Sequence, residues 1–514
     1  LSSMYNLVAS TSGEEIYINT SKYEAVLNTK GATVASWKLK EYFYDENIPV
    51  QLIKKDGRGN LGVQFAVNQD TIRTYDYVFE ANKTSVDLTT GKTEEILIFE
   101  LKLNDDRVLR KTYTFYNDKY IFDLKIELIN FGDIIDDQKY TLTWLSGLEY
   151  TEKNIDEDAR NSKSYIYTGG GKEEFKLPDK PNVSESSDEI EGKIDWVAIR
   201  TKYFASILFP KTEDDISAQL AGATEKLNKE KVEKTYQAFL EMRIPYSSRD
   251  TEIRDFQVFL GPLDYYIVKQ YDDGFDKIMG YGPAIIRPFS KLTIRVFRFL
   301  HGFIPNYGVV LIVFSILVKI VVYPLTRKSY VAMREMQKLQ PLMTEMREKY
   351  KNDPQRLNKE MMGLYKEHGV NPLSGCLPTL LQMPLLWSIF LVFRNTIQLR
   401  HAEFIWWIND LSSPDTILLP FSLPLIGNSL HIIPLLMGAT MFFQQKMTMK
   451  DPKQKAMVYF MPIFLTFIFY NFPSGLNLYY TLFNLFSMLQ QRITPDKHDV
   501  EDVHVVKTNK KSKK

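Results

Sequence analysis

A single cysteine, Cys376, leaves no intramolecular disulfide framework to build on. Only six histidines are present, no two pair at a metal-ligand spacing, and none stands before His301. No charge of one sign dominates. The 64 Lys and Arg nearly cancel the 63 Asp and Glu, leaving +1. That balance argues against a DNA or RNA binder and against an acidic tail protein. The first residues, from Leu1, lack an initiator Met, a basic stretch and a long apolar run, so no secretory signal stands there. Gly91-Lys92-Thr93 is no phosphate loop, because Val86 occupies the place of the required glycine. Leu373-Ser374-Gly375-Cys376 has the look of a lipoprotein box, but lies far from any N-terminal apolar region and is a coincidence.

What is present divides in two. Over 514 residues, 44% apolar and 25% charged is ordinary for a globular chain, and the length predicts several domains. A mean hydropathy of −0.23 excludes a chain embedded in membrane throughout. Residues 14–265 alternate with a period of two, as in Tyr120-Ile121-Phe122-Asp123-Leu124-Lys125-Ile126-Glu127-Leu128. Turn signals such as Asp56-Gly57 and Thr90-Gly91 separate the runs, which predicts an antiparallel sandwich. Residues 151–193, with Gly169-Gly170-Gly171 and an acidic stretch, read as a solvated excursion holding one strand pair. Residues 216–232 fit a helix or a strand.

From 284 to 302, Arg287, Lys291, Arg295 and Arg298 share one helical face, with Ile286, Phe289, Thr293, Val296 and Leu300 near the other. Beside a membrane such a helix lies in the interface plane; the alternative is a surface helix packed on the soluble domain. Residues 303–492 hold five apolar runs, Tyr307–Tyr323, Leu377–Phe393, Leu430–Phe443, Met457–Phe472 and Leu476–Leu489. Each is near or below the roughly 17–25 residues a bilayer needs. Together they predict five short spans. Lys319, Gln382, Asn477, Tyr480 and Asn484 stand inside them and need a partner or a wet cavity.

Charge sets the orientation. Segment 325–375 carries ten Lys or Arg, and Lys446, Lys450, Lys453 and Lys455 follow. Segments 394–429 and 473–475 hold only Arg394 and Arg400 against Glu403, Asp410 and Asp415. The basic loops and the tail, 493–514, are thus expected in the cytosol, with the β domain on the opposite side. An exported domain needs an upstream span, so residues 1–13 are expected to follow an N-terminal helix outside this chain. Within 326–370, Met336, Leu339, Met343, Met346 and Tyr350, then Leu357, Met361, Leu364 and His368, recur at helical spacing around Asn352-Asp353-Pro354. This predicts a helical hairpin with a Met-rich seam, which packs on itself or takes up partners. The tail is expected to be disordered.

Several motifs carry a resemblance. They are Val322-Tyr323-Pro324-Leu325-Thr326, Asn371-Pro372-Leu373-Ser374-Gly375-Cys376-Leu377-Pro378 with Gln382-Met383-Pro384, Met441-Phe442-Phe443-Gln444-Gln445-Lys446-Met447, and Phe472-Pro473-Ser474-Gly475-Leu476 with Tyr479-Tyr480. In this order the series resembles the YidC-type membrane protein insertases of bacteria. The resemblance implies an all-β periplasmic supersandwich, similar to sugar-mutarotase folds, followed by an α-helical membrane core of five short helices with a cytosolic hairpin. Trp196 and Lys202-Tyr203-Phe204 fit the branch with the large domain. It implies an inner-membrane, multi-pass protein that moves nascent membrane segments through a hydrophilic, lipid-open groove, alone or with the Sec translocon. No cofactor, metal or nucleotide is implied, since burial of substrate apolar area at roughly 25 cal/mol per Å² drives the step. Expected partners are nascent membrane proteins, the ribosome at the hairpin and tail, the Sec translocon and membrane lipids.

The resemblance places Lys319 as the groove cation, where relatives usually have Arg. Ser315, one turn earlier, Gln445, Tyr480 and Asn477 join it as groove residues. The alternatives are that Lys319 snorkels to the interface and that Ser315, Gln445 and Tyr480 bond between helices. Asn471 stands where relatives often carry an aromatic. Two rivals remain: a secondary transporter, against which the absence of repeated halves speaks, and a membrane-anchored carbohydrate enzyme. The β domain lacks the histidine a mutarotase acid requires, so no enzymatic activity is expected.

Overall fold

The computed structural model describes residues 9–10, 12–54, 57–104, 106–211, 216–227, 231–248, 250–271, 274–369, 377–423, 427–448 and 455–493. For Leu325, 377–382, Leu423 and Lys455 the description is confined to the backbone. Most of the 1–13 segment, the Leu373–Cys376 box, Lys450, Lys453 and the tail past Ile493 lie outside the described residues. The chain divides into two compact units, Leu1–Met279 and Gly280–Lys514.

In the first unit the alternating runs become strands because β-branched and aromatic residues pack well on one face of a pleated sheet. Val108–Tyr116 turns Leu109, Lys111, Tyr113 and Phe115 inward and the residues between them outward. Among the described residues eleven strands form one sheet. Its main path runs Val183–Ser186, Ile216–Lys226, Val232–Arg243, Lys139–Trp144, Asn60–Val67, Thr33–Asp45, Tyr23–Asn28, Glu15–Asn19 and Ser85–Asp87. Nine strands form the other, with Phe204–Pro210, Thr251–Pro262, Ile121–Ile129, Val108–Tyr116 and Glu94–Lys102 as successive neighbours. Pairing is antiparallel, as in Leu124 opposite Phe256 and Tyr113, except for the parallel edge of Glu15–Asn19 with Ser85–Asp87. The two sheets make a large all-β sandwich. Trp37 of the first sheet stacks on Tyr23 at 3.9 Å between ring centres and meets Phe122 of the second at 5.3 Å. Tyr113 and Phe115 complete this aromatic core.

Residues 151–193 are more ordered than the expected excursion. They hold α1 (Ile155–Asn161) and the pair Lys163–Thr168 with Gly171–Phe175, and they bury Tyr165 and Ile166. Strand Val183–Ser186 joins the other sheet. Ile216–Lys226 is a strand. The unit continues past Pro262 through α2 (Tyr265–Val268) and the turn Phe275–Ile278, where Val268, Phe275 and Ile278 are buried.

The second unit is helical. It comprises α3 (Arg287–His301), α4 (Tyr307–Lys338), α5 (Gln340–Lys349), α6 (Pro354–Glu367), α7 (Leu377–Asn395), α8 (Ile432–Thr448), α9 (Lys455–Phe469) and α10 (Ser474–Ile493). Each of the five apolar runs falls mainly on one of α4, α7, α8, α9 and α10. Two boundaries differ from expectation. Helix α4 does not stop near Pro324 but runs on to Lys338, so it already carries the start of the Met-rich seam. The third run opens as strand, because Thr416–Leu423 and Gly427–His431 form a hairpin just before α8. Among the described residues Tyr307–Pro324 is the stretch long and apolar enough to cross a membrane, and Met383–Asn395 and Ala456–Phe469 are shorter apolar helices.

Helices α5 and α6 pack through Leu339, Met343 and Leu364, with Met346, Met361 and Tyr365 against them. Helix α3 buries Ser290, Thr293, Ile294, Phe297 and Leu300 and exposes Phe289, Leu292 and Phe299 beside Arg295 and Arg298. Phe289 therefore faces out rather than in. Phe297 joins Val310, Leu311 and Phe314 of α4, Ile389 and Phe393 of α7, and Leu476 and Tyr479 of α10 in the unit's core.

Two positions test this packing. Lys111 is fully buried, and its ammonium donates to the carbonyls of Leu61 at 2.6 Å, Gly31 at 2.8 Å and Ala32 at 3.3 Å. Burial pushes it down from 10.5 to about 7. Between those values the unfolded chain holds the proton and the folded one sheds it, so stability rises with pH across that window and is flat below it. Lys111→Met should remove this window and, at pH 7, cost about 1–3 kcal/mol for carbonyls left unpaired. Denaturation at a series of pH values, read by fluorescence of the buried Trp37, Trp144 and Trp196, checks both. In the helical unit a Cβ on Gly438 of α8 would meet Thr466 Oγ1 of α9 at 2.0 Å. Gly438→Ala should destabilise by about 1–3 kcal/mol, and Thr466→Ala should return most of that loss. Unfolding of the four variants in mixed detergent micelles measures the coupling.

Candidate functional site: a buried polar seam among apolar helices

Helix α10 begins after Pro473 and carries two kinds of residue. Its apolar side supplies Leu476 and Tyr479 to the core. Its other side reads Asn477, Thr481, Asn484, Ser487 and Gln491, at steps of four, three, three and four, and all five are buried. At 100° per residue these fall within one broad face. Buried polar side chains at that density need partners; Asn484, Ser487 and Gln491 find them on α4 and α8, Asn477 at the end of α9, and Thr481 on the carbonyl of Asn477 in its own helix.

On the α4 side, the Lys319 ammonium donates to Ser487 Oγ at 2.5 Å and lies 3.5 Å from the centre of the Phe483 ring. Gln490 Nε2 donates to Thr326 Oγ1 at 2.7 Å, and the Arg334 guanidinium donates to the carbonyl of Gln491. On the α8 side, Asn484 Nδ2 donates to Thr440 Oγ1 at 3.3 Å and Gln491 Nε2 to Thr448 Oγ1 at 3.0 Å. Gln337 of α4 donates to the carbonyls of Met447 and Thr448, closing the seam at the end of α8. Among the described residues no carboxylate pairs with Lys319. The seam thus presents two cations, Lys319 and Arg334, and a column of neutral donors and acceptors, an arrangement suited to polar peptide and to acidic side chains rather than to apolar ligands.

The five residues singled out from the sequence are treated differently. Lys319 sits in the seam. Gln445 of α8 is buried, and its Oε1 has no hydrogen-bond partner among the described residues. Ser315 is buried but donates to the carbonyl of Leu311 in its own helix at 2.8 Å, so it does not reach Lys319. Asn477 donates to the carbonyls of Phe469 at 3.1 Å and Phe472 at 3.3 Å, capping the end of α9. Tyr480 is half-buried and meets Phe469 edge-on at 5.4 Å, among aromatic side chains. Sequence reasoning missed Ser487, Thr326, Thr440, Thr448, Gln490 and Gln491. For Ser487, Gln490 and Gln491 the signal was there, as polar residues at helical spacing along α10. Which neighbours complete the column depends on the helix order in space.

Residues 15–292 match the family model described as the YidC periplasmic domain, and residues 299–501 match that of the 60Kd inner membrane protein. The membrane protein insertase YidC of Chlorobaculum parvum is 39% identical over 493 residues, 94% of this chain and 82% of that protein. Its counterpart in Chloroherpeton thalassium is 38% identical, covering 98% of this chain and 86% of that one. A solved YidC from Thermotoga maritima is 12% identical, with 95% of this chain and 99% of that one aligned at a TM-score of 0.30. The chain therefore belongs to the YidC family of membrane protein insertases.

Proposed function

We propose that the helical unit carries nascent transmembrane segments into the inner membrane through the seam between α4, α8 and α10. Helices α4, α7, α8, α9 and α10 are the five spans, and the α5–α6 pair is a cytosolic hairpin, with the C-terminus on the same side. The observation that carries this is Lys319, a cation inside an apolar helix, held by a serine and a ring instead of a carboxylate. An ammonium placed so keeps unused attraction for an acidic residue arriving from outside, which is strong where the dielectric is low.

A polar tail would exchange its water for the seam's donors while its apolar stretch moves sideways into lipid. The energy comes from burying that stretch, so no nucleotide is hydrolysed. Helices of 15–20 residues, such as α8, α9 and α10, thin the bilayer locally and shorten the polar path. Gln445, with an unused buried acceptor, is a second contact for the passing chain. Tyr480 offers an apolar contact, whereas Ser315 and Asn477 serve the helices themselves. The hairpin and the basic tail contact the ribosome, the Sec translocon receives longer clients, and the β unit has a non-enzymatic role.

Insertion of a single-span substrate with an acidic N-terminal tail into liposomes containing this protein tests the reading, with protease protection of the tail as the readout. Lys319→Arg should keep the rate. Lys319→Ala should lower it about tenfold, a barrier rise of ~1.4 kcal/mol. Replacing the substrate's acidic residues by Asn or Gln should remove the difference between native and Ala proteins. An equal loss with every substrate would return Lys319 to a purely structural tie to Ser487.

A further inference from the structure

The segment that leads into α8 is a two-stranded hairpin with unusual chemistry. Thr416 pairs with His431 and Ile417 with Leu430. From Thr416 to Gln445 the chain contains no Lys, Arg, Asp or Glu. Leu418 is 73% exposed and Phe421 58%, with Pro420 exposed between them. Two strands alone are marginal in water, and an uncharged apolar edge there invites aggregation. The hairpin therefore needs a cover.

Three observations identify the cover as lipid. First, α8 starts at the residue after His431 and has 17 residues, about 25 Å of helix against a hydrocarbon core of roughly 30 Å. Leu435 and Leu436 in its first turns are exposed, so apolar surface continues from helix to hairpin without a charge. Second, the hairpin is tied to the start of α8. Asp415 Oδ2 accepts from the N–H groups of Ile432 at 2.8 Å and Ile433 at 2.9 Å. The Tyr470 hydroxyl donates to the carbonyl of Ser429 at 3.0 Å and accepts from the N–H of His431 at 3.2 Å. Third, the same Asp415 oxygen accepts from Trp407 Nε1 at 3.3 Å, and Trp406, 82% exposed, stacks on Trp407 at 5.7 Å. Tryptophan pairs at such a level mark the membrane–water boundary.

We propose that the hairpin strands Thr416–Leu423 and Gly427–His431 form a membrane-interface element that lays Leu418 and Phe421 into the headgroup region of one leaflet, beside Trp406. Its depth is bounded. Among the described residues no third strand pairs with the two, and open strand edges carry N–H and C=O groups that hydrocarbon cannot satisfy, while headgroups and water can. The element extends the apolar reach of the short helix α8 without lengthening the helix. Lacking charge, it binds zwitterionic lipid as well as anionic lipid and is insensitive to salt. The assignment does not rest on the seam or on Lys319.

Spin labels test it in the full-length protein in phosphatidylcholine nanodiscs. With Cys376→Ser as background, single cysteines replace Leu418, Phe421 or the exposed Ser422, and Tyr246 of the β unit serves as a water-facing control. Far-ultraviolet circular dichroism and thermal unfolding matching those of the Cys376→Ser background confirm that each variant is folded. At 418 and 421 oxygen should relax the label more than an aqueous nickel chelate does, at both low and high salt, whereas at 246 the order should reverse. Nickel accessibility at 418, 421 and 422 equal to that at 246 would place the hairpin in water and overturn the proposal. Shielding from both reagents would overturn it too, showing a protein cover such as a second copy of the chain.

Discussion

Polar groups removed from water must find partners, and the helical unit is arranged around that requirement. Helix α10 buries Asn477, Thr481, Asn484, Ser487 and Gln491 on one face. That face dictates that α4 and α8 approach with Thr326, Lys319, Thr440 and Thr448 turned toward it. Each interhelical bond contributes modestly, about 0.6 kcal/mol on average in membranes. Their geometric effect is larger. A seam that is polar along its length holds three helices in register.

The β unit meets the same requirement in another way. Its core is aromatic, with Trp37, Tyr113, Phe115 and Phe122 spanning the two sheets. Lys111 enters that layer only because three carbonyls wait for its ammonium. Arg254 and Glu252, both buried, pair with each other at 2.6 Å for the same reason. In the helical unit Lys319 has Ser487 and the Phe483 ring beside it and no carboxylate among the described residues.

Much of this was legible in the chain. The period-two runs gave the strands, because a sheet with one buried face requires alternation, and Val108–Tyr116 keeps it at every position. The apolar runs located the long helices, and Lys319 stood out as a charge inside one of them. Ser315, Asn477 and Tyr480 were less legible. A serine one turn from a lysine can bond its own backbone, as Ser315 does, and an asparagine near a helix start can cap the previous helix, as Asn477 does. The continuous α4 and the hairpin at Thr416–His431 also escaped the reading. Pro324 is tolerated within the helix, and a short uncharged apolar stretch has the same composition in a strand as in a helix.

The sequence by itself determined the class of each unit and the family, and set a lysine, Lys319, inside an apolar run. Those follow from composition, periodicity and motif order, which are local in the chain. Tertiary structure alone decided that Lys319 meets Ser487, 168 residues away, that Gln490 and Gln491 bridge to α4 and α8, and that Trp407 joins the base of the hairpin through Asp415. The reason is physical. A polar residue on a helix face needs a partner, but its identity is set by which helix packs there, and that depends on the shapes of all the helices at once.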